Sequence, residues 1–63
     1  MKLNKDKLLI TMARACMNPY DLCSYAGIPY QTYLRALKNT CKPATAGKIA
    51  NALGVDVTEL LED

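Results

Sequence analysis

Gln31, Leu34, Arg35 and Lys38 follow one another at intervals of three, one and three residues, so a helix would carry them on one side, opposite Tyr33, Ala36 and Leu37. Those residue types have a chemistry in common. A glutamine amide pairs bidentately with adenine, an arginine guanidinium with O6 and N7 of guanine, and a leucine side chain covers the methyl group of thymine. Tyr30, at the start of the same stretch and on its flank, reaches either a base or a phosphate. Lys38, Asn39, Thr40 and Lys42 come next, and such groups suit phosphate oxygens, contacts that fix register without reading sequence. Upstream, Asn18 and Tyr20 stand at a second helix start, whose backbone N–H groups favour a phosphate. The residues alone therefore suggest base contacts from Tyr30, Gln31, Leu34 and Arg35, and phosphate contacts from Asn18, Tyr20, Lys38, Asn39, Thr40 and Lys42. Taken singly, each has a plainer reading, because Gln and Arg on an outer helix face are ordinarily just solvated and one exposed Leu is unexceptional.

Punctuation in the chain supplies the helices that would carry these groups. Asn4 caps a first helix over about 5–16, with Asp6 in its first turn, Leu3 and Leu8 at hydrophobic-staple positions, and an apolar stripe of Leu8, Leu9, Met12, Ala13 and Cys16. Asn18-Pro19 starts a second, 19–26, with Asp21 in the positive end of its dipole and Gly27 as the left-handed stop. Ile28 plugs the turn, and Pro29 restarts the chain with a helical φ for a third helix over 29–38, ended at Asn39 as a left-handed terminator. Ala46, Ile49, Ala50 and Leu53 define a fourth over 44–53, closed by Gly54; Gly47 within it suggests close approach by a neighbouring helix. Asp56 and Glu59 have capping-box spacing before a last short helix, 57–62. No stretch alternates as a strand would. Five short helices share one core only by crossing steeply, and the pair 19–26 and 29–38 has the length and punctuation of a helix-turn-helix.

Composition narrows the class further. Sixty-three residues make one domain over 1–63, with an economical core drawn from Leu, Ile, Met and Ala, since Phe and Trp are absent and all four Tyr lie between residues 20 and 33. No apolar run approaches a membrane span of roughly 20 residues, and lysines interrupt the beginning, which reads as a cytoplasmic chain without a membrane role. Three cysteines without a histidine form neither a disulfide set nor a four-ligand zinc site, so no metal or other cofactor is expected. Cys16 and Cys23 read as small buried thiols, and Cys41 as an oxidisable loop residue. All eight Lys and Arg fall in residues 1–48 beside only two acids, whereas residues 49–63 carry four acids and no base. A basic surface with an acidic tail suits a polyanion, although a mixed solvated surface has the same appearance.

The stretch "NPYDLCSYAGIPYQTYLRALKN…KIANALGVDVTELL" resembles the lambda-repressor-like, or XRE, helix-turn-helix domain of phage and bacterial regulators, over about Leu8 to Leu61. Asn18 and Leu22-Cys23 match that family's polar cap and Leu-Ala, Gly27-Ile28 its Gly-Val turn, and Lys48 to Leu60 its closing KIAxALGVxxxEL. The chain departs from the pattern at Pro29, where a Ser is usual, and at Tyr33, Leu37 and Asn39, and its first helix fits loosely. The resemblance implies an all-α, compact five-helix domain. It implies base contacts from positions 29 to 31, 34 and 35, and phosphate contacts from the start of the second helix and the loop after the third. It further implies a double-stranded DNA operator as partner and a homodimer on half-sites about 34 Å apart.

Two other functional classes compete. An enzyme is disfavoured, because no His, no nucleophile beside a base, no Gly-rich phosphate loop and too little chain for a pocket are present, and no small-molecule ligand is evident. A helical protein-interaction module would use Tyr30, Leu34 and the apolar C-terminal helix. Leu60 and Leu61 there either form a seam between copies or close the core.

Overall fold

Asn4 opens the first helix as its composition requires. Its side-chain oxygen accepts the Lys7 N–H at 2.9 Å, and the helix α1 runs Lys5–Arg14. The computed structural model describes residues 1–61 and continues with α2 (Pro19–Ala26), α3 (Tyr30–Lys38), α4 (Pro43–Leu53) and a 3-10 turn (Val57–Glu59). At α2, Asn18 and Asp21 cap each other reciprocally: Asn18 Oδ1 accepts the Asp21 N–H at 2.7 Å, and Asp21 Oδ2 accepts the Asn18 N–H at 3.3 Å. Gly27 and Gly54 end α2 and α4 at φ of 70° and 71°, a conformation that costs a residue with a Cβ roughly 1 kcal/mol or more.

Each helix contributes one narrow stripe to a shared core. Leu8 and Met12 come from α1, Leu22 and Cys23 from α2, Tyr33 and Ala36 from α3, and Ala46, Ile49 and Ala50 from α4. Ile28 fills the turn beneath α2 and α3, as its position predicts. The α2 helix packs on both α3 and α4, so it is the brace from which the third helix is held. Small residues at 36, 46 and 50 let the backbones come close, while Leu3, Leu8, Leu22, Ile49 and Leu60, all essentially inaccessible, supply the bulk.

The two ends of the described chain close this core together. Leu3 pairs with Leu61 in an isolated antiparallel bridge, and Asn4 donates its N–H to the Leu60 carbonyl at 2.8 Å. Leu60 is fully buried, so it closes the core and is unavailable as a seam between copies or as part of an apolar docking tail. The loop after α3 is tied down as well: Cys41 donates its N–H to the Met1 carbonyl at 2.7 Å, and its side chain, half-buried, packs against the core.

Several sequence expectations are corrected here. Among the described residues there are four α-helices, not five; the last described element is a single 3-10 turn, and residue 62 of the expected helix lies outside the described residues. Asp56 and Glu59 do make the expected reciprocal cap. The chain turns after Val57, Thr58 and Glu59 because Leu60 must drop into the core and its carbonyl must meet Asn4. The first helix stops at Arg14, two residues early. Cys16 then adopts φ 58° and is exposed, and Leu9 and Ala13 also face solvent, leaving Leu8 and Met12 as the buried stripe. The third helix begins one residue late, with Pro29 as its cap, and Asn39 ends it in an extended conformation, not the left-handed one. Gly47 is not a close-approach glycine, because a Cβ built there meets nothing within 4 Å. Tyr25, on α2, stands exposed to solvent.

Stability should respond to substitution at three positions, Gly47, Cys16 and Asp56. Gly47→Ala removes backbone entropy from the unfolded chain and meets no neighbour, so it should stabilise by about 0.5–1 kcal/mol and raise Tm by roughly 2–8 °C in a thermal melt. Cys16→Gly relieves a left-handed residue but should gain less, since glycine's own unfolded freedom offsets the relief. The Asp56 carboxyl is held below its ordinary value of 3.8 by the Thr58 N–H at 2.9 Å and the Thr58 hydroxyl at 2.7 Å. A depressed carboxyl stabilises the fold above the unfolded value and loses that effect as pH falls through the native one. Melts from pH 5 to 2 should therefore show an acid limb that flattens in Asp56→Asn, which keeps a capping oxygen but does not titrate.

Candidate nucleic-acid interface

Two buried side chains fix the pose of α3. Tyr33, 2% exposed, and Ala36, 1% exposed, point inward, and Leu37 is half-buried beside them. The Tyr33 hydroxyl reaches Met12 Sδ at 3.8 Å, which ties the third helix to the first. Burial raises the Tyr33 phenol above its ordinary value, and the neighbouring Tyr30 and Cys23 add to the shift, so the ring stays neutral and unreactive; burial also raises the Cys23 thiol. With Tyr33 and Ala36 anchored, helical geometry turns Gln31, Leu34, Arg35 and Lys38 outward. All four are exposed, and so is Tyr30 on their flank. The five residues share one face of α3, as their spacing predicts.

The start of α2 joins that face through aromatic contact. Tyr20 and Tyr30 stack with ring centroids 4.9 Å apart and planes 11° from parallel, and Tyr30 leans on Tyr33 at 5.9 Å and 32°. Pro29 gives α3 no side-chain cap, so this stack is a tertiary fastening on its first turn. Asn18 lies nearby in sequence and is exposed, but its side-chain oxygen is already committed to Asp21. The expectation of a freely donating helix start therefore needs revision. Pro19 has no N–H, the Asp21 and Leu22 N–H groups both go to Asn18, and the Asp21 carboxylate sits in the first turn, which leaves at most the Tyr20 N–H for an anion.

At the other end of α3 the position is more open. Thr32, Arg35, Thr40, Cys41, Lys42 and Thr45 line a shallow depression between α3 and the start of α4. Lys42 is the cap residue of α4 without a side-chain cap bond, and Pro43 occupies the first turn, where a missing N–H costs nothing. Of the expected phosphate-contacting residues, Thr40 and Lys42 line this depression, and Lys38 and Asn39, just before them in the chain, are exposed. Thr32 and Thr45 escaped the sequence reading. The Lys42-Pro43 pair was the available signal, since a proline after a polar residue marks a helix start.

Among the described residues no group of three or more His, Cys, Asp or Glu is placed to hold a metal, and no helix is long and apolar enough to cross a membrane. The chain is similar to two solved structures of PhpD, one described as PhpD with cadmium complexed with hydroethylphosphonate and the other as native PhpD with cadmium atoms. Each is 28% identical with a TM-score of 0.85, and each match covers 100% of this chain and 14% of the PhpD chain. The likeness thus spans a small part of a much longer protein. No curated protein matches the chain. Residues 7–63 match the Cro/C1-type HTH DNA-binding domain, and with two helices joined through Gly27-Ile28 and a polar face turned outward, the chain belongs to that family of DNA-binding domains.

Proposed function

We propose that this chain is a sequence-specific, double-stranded-DNA-binding transcriptional regulator, a repressor of phage, mobile-element or bacterial genes, that inserts α3 into the major groove. The observation that carries the reading is the two-sidedness of α3: Tyr33 and Ala36 are sealed into the core while Gln31, Leu34 and Arg35 stand exposed on the opposite face. In this reading Gln31 pairs with adenine, Arg35 with guanine, Leu34 covers a thymine methyl, and Tyr30 contributes at the edge of the groove. Phosphates are met by Lys38, Asn39, Thr40 and Lys42 at the open end, with Arg35 and the α4 start beside them, and at the opposite end by the Asn18 Nδ2 amide, its oxygen being held by Asp21. The acidic tail lies away from this basic stretch in sequence. A DNA target makes the chain cytoplasmic in a bacterial host.

Size supports paired binding. The described chain measures 24 × 21 × 16 Å, less than the roughly 34 Å between successive major-groove faces, so one copy serves one half-site and a two-fold operator takes two copies. The cadmium and phosphonate named for PhpD belong to a protein of which this chain matches 14%, and they form no part of the reading. The rival reading, a protein-interaction module built on Tyr30, Leu34 and the apolar tail, loses a main component with Leu60 in the core.

A titration with random duplex DNA at two salt concentrations tests the reading. Affinity should fall steeply with salt, by a slope of about −0.9 in log–log form per phosphate neutralised, whereas an apolar protein interface would hardly respond. Against a duplex selected from a random pool, Gln31→Ala and Arg35→Ala should each lose about 1–3 kcal/mol of discrimination at one base pair. Lys42→Ala should weaken all duplexes alike and reduce the salt slope by about one. Unchanged discrimination in Arg35→Ala would remove that residue from the reading surface.

A further inference from the structure

From the aromatic contact between the two helix starts we infer that Tyr20 is a positioning residue for sequence reading, holding Tyr30 so that its hydroxyl and ring edge, not its ring face, meet the DNA. This rests on the proposed insertion of α3 into the major groove. A tyrosine at the first position of an exposed helix end has several side-chain rotamers open to it, and ordering one of them has an entropic cost. Here the cost is met within the protein before any ligand arrives. Tyr20, itself 69% exposed, lays its ring against that of Tyr30 at 4.9 Å and 11°, and Tyr30 is further confined by Tyr33 at 5.9 Å.

The column Tyr20, Tyr30, Tyr33 ends on Met12, so it runs from the surface of α2 through the first turn of α3 into the core. One face of Tyr30 is thereby occupied. A base cannot stack on the covered face, and what remains is an edge and a hydroxyl that both donates and accepts a hydrogen bond. A single hydroxyl in a fixed place discriminates between base edges, whereas the same hydroxyl on a freely turning ring averages over several of them. The stack also does the work of a missing cap, because Pro29 provides no side-chain bond to the first turn of α3. On this account Tyr20 acts through Tyr30, and its own hydroxyl is dispensable.

Three variants and two readouts test this on the full chain. In the aromatic proton spectrum of the free protein, Tyr20→Ala should shift the Tyr30 ring signals out of the ring-current field of the stack, and Tyr20→Phe should leave them near their original positions. With the duplex selected from a random pool and its single-base-pair substitutions, Tyr20→Ala should lose about two- to tenfold in discrimination at one base pair, while binding to random duplex changes less than twofold. Tyr20→Phe should retain that discrimination. Tyr30→Phe should lose it at the same base pair, and adding Tyr20→Ala to it should cost little more, since both act on one hydroxyl. A uniform loss of affinity in Tyr20→Phe, on selected and random duplexes alike, would overturn the inference and make Tyr20 a phosphate contact. Discrimination unchanged in Tyr20→Ala despite a displaced Tyr30 signal would overturn it too. Loss of sequence preference in the unsubstituted protein would instead bring down the underlying reading of α3.

Discussion

The anchoring of α3 by two residues is the constraint on which the rest of the structure depends. A nine-residue helix has little stability alone, because nucleation is costly and its few internal hydrogen bonds are exposed to water. Tyr33 and Ala36 supply what it lacks, one with a large buried ring and the other with a side chain small enough for a neighbouring backbone to approach. Because only these two are fully buried, most of the helix circumference remains outside the core. A wider apolar stripe would have held the helix more firmly and left less of it to meet a partner.

The remaining elements can be understood as supports for that pose. The α2 helix packs on α3 and α4 together, Ile28 fills the turn between the first pair, and the Tyr20–Tyr30 stack fastens a helix start that has no polar cap. In a chain without Phe or Trp, the aromatic surface is concentrated where the second and third helices meet. The two ends of α3 differ electrostatically. Its N-terminal side faces an α2 start whose donors are largely engaged and whose first turn carries Asp21, whereas its C-terminal side faces Arg35, Lys42 and an uncapped α4 start. The proposed phosphate contacts accordingly cluster at the second end.

Much of this was legible residue by residue. Caps at Asn4, Asn18 and Asp56, stops at Gly27 and Gly54, and the opposition of Tyr33 and Ala36 to Gln31, Leu34 and Arg35 are local matters, decided by dihedral preference and helical period. Leu9 and Ala13 were misplaced because periodicity predicts a stripe, but how far the stripe is covered depends on what packs against it, and in α1 only Leu8 and Met12 are buried; Cys16 lies beyond the end of the helix. Gly47 was misread on similar grounds, since a glycine in a helix has the same appearance whether a backbone approaches it or not.

The sequence by itself determined the α-helical class, the punctuation of α2 and α3, and the composition of the outward face of α3, because each follows from interactions within a few residues. Only the tertiary structure decided that Leu60 closes the core, that Cys41 is tied to the first residue, that Tyr20 lies flat on Tyr30, and that a depression forms between α3 and the start of α4. Those facts join positions 10 to 56 residues apart, and no local preference encodes a distance of that kind; it is set when all the helices compete for the same small core.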